Sequence, residues 1–405
     1  MSSFAALWDS LLPIGRDPAT GGYRRFCWTP AELECRAWFT TSAAQRQLRV
    51  AADGNGNLFA WWDVSGDGGP GIATGSHLDS VPDGGAFDGP LGVVSAFAAI
   101  DELRAAGFQP ARPIVVAAFA EEEGGRFGVA CLGSRLLTGA IDPDTARGLS
   151  DGAGITFAGA MQAGGGDPGR LGPDDDLLGQ LAAYVELHVE QGRALAGLDA
   201  AVGLAEGIWP HGRWRLDFTG RADHAGTAKL ADRADPMLPY AATVLAARQA
   251  AAELGTLATI GKVRAEPGAA NAVSSAVSAW LDVRAGAAER LDATLSQVLT
   301  AARTAAESQQ VAFEWKGESV TPAVSFDAGL RGRLAGALAG QGIAAPVLPT
   351  GAGHDAGILA ARLPTAMLFV RNPTGVSHSP AEHAEAADCV AGVTALAAVL
   401  RELAG

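Results

Sequence analysis

Cysteine is scarce: the chain has four in 405 residues, Cys27, Cys35, Cys131 and Cys389, and no two form a Cys-x-x-Cys pair. That usage excludes a disulfide framework and a cysteine-built structural zinc. It predicts reduced, mostly buried thiols in a cytoplasmic protein. Long apolar runs are missing too. No segment reaches about 18 uninterrupted apolar residues, so no membrane span is expected. Near the start, Phe4, Leu7, Trp8, Leu11 and Leu12 fall at helical spacing. Asp9 interrupts that run and no basic start precedes it, which does not suit a signal peptide. Positive charge is in deficit. A net charge of −14 argues against a nucleic-acid partner, because no excess of basic residues is there to neutralise phosphates.

What the chain has is length for two domains and a succession of apolar runs ending in polar, glycine-rich turns. Residues 3–12, 29–52 and 93–103 read as helices, the second opening at Thr29-Pro30. Residues 58–63 and 71–74 read as strands. Pro113 to Ala120 is continuously apolar, as in a strand buried on both faces, and it empties into Glu121-Glu122-Glu123-Gly124-Gly125-Arg126. By itself such an acidic run is more often a solvated turn than a site. Residues 148–180, rich in Gly, Asp and Pro, read as irregular or partly helical. From Tyr184 to Gly192 the chain alternates: Tyr184, Glu186, His188 and Glu190 share one face, Val185, Leu187 and Val189 the other.

The pattern changes near Gly207. A strand (214–220), a helix (235–254), two strands (256–264 and 273–284), a helix (287–308) and a strand (311–320) give the β-α-β-β-α-β order of a ferredoxin-like unit. From Ser325 the chain returns to α/β, with strands at 346–348 and 365–371, a short helix at 356–361 and a terminal helix at 384–403. The expected architecture is therefore α/β: a discontinuous catalytic domain (1–207 and 322–405) interrupted by a ferredoxin-like domain (208–321). No internal repeat is visible.

Seven histidines are present, and four of them, His77, His188, His354 and His378, lie at strand-to-turn junctions outside the insert. In open α/β sheets the carboxyl ends of strands are where ligands bind. A lone strand histidine is usually a satisfied polar group. Histidines gathered with carboxylates suit Zn²⁺ or another divalent first-row ion. Asp79, two residues past His77, is placed to hold the other nitrogen of that ring; its plainer reading is a turn-capping aspartate.

Six blocks carry a family resemblance: GSHLDSVPDGGAFDGPLGV (75–93), EEEGGRFG (121–128), ELHVEQG (186–192), HAGT (224–227), TGAGHDAG (350–357) and GVSHSPAE (375–382). In this order they resemble the M20-type dinuclear metal amidohydrolases and peptidases. Within these they resemble the branch of N-carbamoyl-L-amino-acid amidohydrolases, allantoate amidohydrolases and β-ureidopropionases. The resemblance implies two divalent ions per subunit, Zn²⁺ first and Mn²⁺, Co²⁺ or Ni²⁺ as alternatives. Asp88 bridges them, His77 and His188 complete one position, and Glu123 and His378 the other. It makes Glu122 the general base and Asp79 the partner of His77. It makes His224 an oxyanion donor, in its own or the partner subunit; without the resemblance, a capping histidine beside Ala225-Gly226 is the first reading. Asn271 and Arg284 are implied to hold a substrate carboxylate, although Arg284 alone reads as a surface ion-pair residue. Gln191, His354 and Arg371 are further substrate-site candidates.

The implied reaction is hydrolysis of a linear C–N bond in a carboxylate-bearing ureido compound, first an N-carbamoyl-L-amino acid. Allantoate hydrolysis, an aminoacylase or dipeptidase activity, and non-catalytic small-molecule binding are the alternatives. The implied assembly is a homodimer through the inserted domain, which also serves as a lid. Three departures leave the ligands intact: Gly125 where serine is usual, Ala228-Lys229-Leu230 where the family has Thr-Pro-Met, and Arg193 where proline is common; of these, Lys229 and Arg193 bear on the substrate pocket.

Overall fold

A computed structural model describes residues 3–63 and 69–405. Among these residues, four apolar runs lie side by side as parallel strands: Ile114–Phe119, Gly71–His77, Leu181–Val189 and Thr365–Val370, in that spatial order. Every residue in them is buried except Ala182. A parallel sheet is covered on both faces, which is why these strands read as continuous apolar runs. Antiparallel strands extend the sheet, Leu58–Trp62 and Arg49–Ala52 on one side and Val202–Ile208 on the other.

The strand Leu181–Val189 shows how the two faces divide. Val185, Leu187 and Val189 join the large apolar cluster with Leu91, Val94 and Phe97 of the helix Pro90–Ala105 and with Leu396, Val399 and Leu400 of the helix Ala386–Ala404. On the opposite face, Tyr184 and Glu186 are buried but satisfied. Tyr184 Oη donates to Gly75 O at 3.1 Å. Glu186 accepts from Ser76 Oγ at 2.7 Å and from Ala356 N at 3.0 Å. Buried polar groups of this kind persist because each finds a partner inside the protein.

Several elements differ from the sequence reading, among them the short helices Leu132–Thr138, Pro143–Gly148 and Ala194–Leu198, which it did not contain. The helix expected over 29–52 runs only Pro30–Gln45, and Arg49–Ala52 is a strand paired with Leu58–Trp62. Gln47 turns the chain with φ 53°, and Leu48 N bonds back to Ala43 O, a helix-ending bond. Val-Ala-Ala tolerates either state; strand pairing decides it. The strand Val202–Ile208 and the helix Ala328–Gly340 are additional. In that helix Leu330, Leu334 and Leu338 form the buried stripe and Asp327 caps the first turn. Interspersed glycines (329, 332, 336 and 340) mask its helical character in sequence.

The chain divides into two compact units, Met1–Gly207 with Ser325–Gly405, and Ile208–Val324. The second holds an antiparallel sheet ordered Ala312–Thr321, His211–Thr219, Ala276–Arg284, Leu257–Glu266. The helices Met237–Leu254 and Ala288–Ser308 complete the ferredoxin-like order. Alternation along Ala276–Arg284 sends Val277, Leu281 and Val283 into a core with Trp214, Phe218 and Val298. Among the described residues, no helix is long and apolar enough to cross a membrane.

Close approach of helix and sheet predicts one mutational outcome. A Cβ on Gly92, inside the helix Pro90–Ala105, would lie 2.3 Å from Leu187 O and 2.8 Å from Ser76 Cβ. Glycine to alanine normally favours a helix by up to about 1 kcal/mol. Gly92→Ala is instead expected to destabilise the protein by about 1–3 kcal/mol through overpacking. A denaturant midpoint equal to or above that of the parent would refute this.

Candidate metal centre

The centre forms where the parallel strands end. His77 closes its strand, His188 is the penultimate residue of the next, and the Glu121–Glu123 turn follows Ile114–Phe119. Asp88 returns to this edge on the glycine-rich loop after His77. Gly89, at φ 84°, makes the return possible: a Cβ there would lie 2.4 Å from the His77 ring.

Asp88 is the hub. Its Oδ1 lies 3.3 Å from His188 Nε2 and 3.6 Å from His77 Nε2. Its Oδ2 lies 3.4 Å from His378 Nε2, which is also 3.4 Å from Glu123 Oε2. Two donor groups result, His77–Asp88–His188 and Asp88–Glu123–His378, each within 4.8 Å, and they share one carboxylate.

The imidazoles are oriented from behind. His188 Nδ1 donates to Val189 O at 2.9 Å, and His77 Nδ1 lies 3.2 Å from Asp79 O and 3.5 Å from Asp79 Oδ1. Protons on Nδ1 leave both Nε2 atoms as lone-pair donors facing Asp88. Both Nε2 atoms are buried without a hydrogen-bond partner among the described residues. Orphaned buried acceptors grouped around a shared carboxylate fit a pair of divalent cations.

Electrostatics point the same way. Burial raises Glu122 and Glu123 well above the usual carboxylate range. Burial also opposes the charge of Asp88, but His188 and His77 outweigh it and hold that carboxyl well below the usual range. His77 is the converse: burial lowers it, while Glu122, Asp79 and Asp88 raise it well above an ordinary imidazole. In the metal-free protein, protons therefore balance charge that divalent cations balance when bound.

Glu122 stands beside this set, with Oε2 3.7 Å from His77 Nε2. Asp79 has a larger part than expected. Besides flanking His77, its two oxygens accept from Glu122 N and Glu123 N, each at 3.1 Å. One buried carboxylate thus fixes a histidine and the turn carrying both glutamates. Glu121, at φ 53°, accepts from Phe127 N at 2.7 Å and Arg126 N at 3.0 Å, closing the turn.

The substrate-site candidates divide. Gln191 Nε2 donates to Asp88 Oδ2 at 2.7 Å, and Ser377 Oγ reaches the same atom at 3.1 Å. Gln191 therefore holds the hub. His354 is buried with its ring centroid 4.5 Å from that of His188, and its Nε2 has no hydrogen-bond partner among the described residues. Burial, then His188, hold it well below an ordinary imidazole, so it is neutral. Arg371 closes its fork on Asp388 at 2.7 and 2.9 Å and reaches Asp199 at 3.0 Å. That ties it to the first turn of the terminal helix. In the second unit, Ala225 N bonds Asn271 O at 3.0 Å, making His224 and Asn271 neighbours. His224 Nδ1 accepts from Gly226 N at 3.0 Å, which leaves a proton on Nε2. Arg284 Nε donates to Asp282 at 2.9 Å.

Sequence reasoning also missed the parts played by Ser377 and Cys131. Ser377 lies inside a quoted block, yet nothing marked its hydroxyl as a partner of Asp88. Cys131, read only as a buried thiol, places Sγ 3.3 Å from Glu122 Oε1.

Comparison with known proteins matches this geometry to a family. Residues 73–402 match the model of peptidase family M20/M25/M40. The chain is 34% identical over 402 residues to an N-carbamoyl-L-amino acid amidohydrolase of Geobacillus stearothermophilus, covering 98% of each chain. It is 32% identical to an allantoate amidohydrolase of Escherichia coli, covering 97% of this chain and 96% of that one. A solved hydantoinase/carbamoylase family amidase from Burkholderia ambifaria superposes with a TM-score of 0.83 at 32% identity, covering 99% and 98%. The chain belongs to peptidase family M20/M25/M40, as a hydrolase of the amidohydrolase kind.

Proposed function

We propose that the protein hydrolyses N-carbamoyl-L-amino acids to amino acid, ammonia and CO₂, using two divalent cations. The observation that carries this is Asp88, whose two oxygens face two separate donor groups. His77, His188 and Asp88 would hold one ion, and Asp88, Glu123 and His378 the other. When bound, such a pair supplies Lewis acidity and makes water acidic enough to be deprotonated near neutral pH.

This chain's own residues do the rest. Glu122 takes the proton of the attacking water and delivers it to the departing nitrogen. Asp79 keeps Glu122 and Glu123 in place through their N–H groups, and Gln191 with Ser377 keeps Asp88 from rotating. His224 Nε2–H stabilises the oxyanion that develops on the carbamoyl oxygen. Asn271 and the Arg284 guanidinium bind the substrate carboxylate, for which a planar fork is suited. His354, neutral and buried, contributes a polar edge beside His188.

The second unit is then the lid and the dimer contact of a cytoplasmic enzyme. Leu238 and Leu245 on its first helix and Leu257 on the following strand are more than half exposed, which supports a subunit contact there. The relative active on allantoate favours one second reading, because allantoate also joins a ureido nitrogen to a carboxylate-bearing carbon.

Ammonia release from a panel of N-carbamoyl-L-amino acids and allantoate tests the substrate. Turnover of the former above allantoate is expected. Cleavage of N-acetyl amino acids or dipeptides without ureido activity would overturn the reading. Glu122→Gln is expected to reduce kcat by about 10²–10⁴ with ion content retained; near-normal turnover would remove Glu122 from the role of base. Dialysis against a chelator should abolish turnover and lower the melting midpoint, and Zn²⁺, Mn²⁺, Co²⁺ or Ni²⁺ should restore both. A chelated protein with unchanged melting and activity would contradict a two-ion centre.

A further inference from the structure

Cys131 has an unusual position for a buried cysteine. Cys35 and Cys389 pack in the large apolar cluster and Cys27 in a smaller one. The Cys131 thiol instead meets a carboxylate, with Sγ 3.3 Å from Glu122 Oε1. Both residues are buried, so water does not compete for this contact. The backbone reinforces it. Cys131 N donates to Glu122 O at 2.6 Å, Leu132 N to Glu121 O at 3.1 Å, and Gly133 N to Ala120 O at 2.9 Å. The start of the helix Leu132–Thr138 is thereby fastened along the turn that carries the acids.

Cys131 also adopts φ 56° and ψ 36°. This is the left-handed region, where glycine is at ease and a side chain costs about 1 kcal/mol or more. A side chain kept at such a position invites a question about what it does. Here it donates. A thiol is protonated at neutral pH, and S–H is a weak donor to a carboxylate. The two oxygens of Glu122 are therefore unequal: Oε1 is held by sulfur, while Oε2 faces His77 Nε2 at 3.7 Å.

We propose that Cys131 is a positioning residue for the general base: its S–H pins Oε1 of Glu122, so that Oε2 alone is presented to the reacting water. The hydrogen bond removes rotation of the carboxylate and fixes one oxygen for the proton transfer. This rests on the reading of Glu122 as the base.

The test uses the holoenzyme with Cys131→Ala, Cys131→Ser, Glu122→Gln and the double variant Cys131→Ala/Glu122→Gln. Cys131→Ala is expected to lower kcat about tenfold with KM within about twofold, and Cys131→Ser to recover kcat to within about threefold of the parent. Ion content and melting midpoint should be alike in the Ala and Ser proteins. In the Glu122→Gln background, Cys131→Ala should change kcat no further, because the two residues act through one interaction. The infrared S–H stretch needs no turnover. The band lost in Cys131→Ser should lie below those of the other thiols and move up in Glu122→Ala. Parental kcat in Cys131→Ala, equal losses in the Ala and Ser proteins, or a band unmoved by Glu122→Ala would each overturn the proposal. All ratios are taken on the substrate the parent turns over best. A wrong substrate assignment therefore appears as a different preferred substrate, whereas a wrong role for Cys131 appears as ratios near one.

Discussion

Asp88 is the constraint from which the rest of the first unit can be understood. A single buried carboxylate faces His188 and His77 through one oxygen and His378 through the other. These groups come from distant points of the chain, and only adjacent strand ends can bring them together. Adjacent parallel strands supply two of the ends, at His77 and His188, and the loop before the terminal helix supplies the third group. Asp88 must also come back to the strand that it has just left. The φ of 84° at Gly89 and the contact of that residue with the His77 ring provide the tight return.

A carboxylate placed this way could rotate, and the surroundings prevent it. Gln191 and Ser377 both donate to Oδ2, leaving Oδ1 toward the buried imidazoles. Asp79 performs the matching task for the glutamates by accepting from two successive N–H groups. Such contacts remove freedom before any ligand arrives, and pre-paid order of this kind is a large part of what a catalytic site contributes.

Much of this was legible in the sequence, for identifiable reasons. The buried strands read correctly because burial on both faces leaves a continuous apolar run, as in Ile114–Phe119. The alternating faces of Leu181–Val189 read correctly because period two survives even where the polar face is buried. The Gly-rich helix Ala328–Gly340 did not, since its leucine stripe is carried on residues of poor helix propensity. Nor did Arg49–Ala52, whose strand state depends on its pairing with Leu58–Trp62 rather than on its own residues. The assembled donor groups coincide with residues that the blocks suggested, His77, Asp88, His188, Glu123 and His378. Their supporting contacts were not legible. A hydrogen bond from Gln191 to Asp88 spans 103 residues, and nothing local in either segment encodes it.

Two groups of acids at this edge of the sheet differ in what their oxygens face. Asp79, Glu121 and Glu186 accept hydrogen bonds from backbone N–H or hydroxyl donors, although burial still raises Glu121, to about 8, and Glu186 above the usual carboxylate range. They build the framework. Asp88 and Glu123 instead face imidazole nitrogens at 3.3–3.6 Å. Across His77 and His188 the meeting atoms are lone pairs, an arrangement that repels unless something positive lies between them. A proton meets that need singly, and a divalent cation meets it with more charge and several ligands at once. Apolar or neutral groups in place of the central pair, Asp88 and Glu123, would cost a folded interior less. Charged groups gathered at the strand ends, beside Glu122 held by Asp79, are the physical signature of a site built for chemistry rather than for stability.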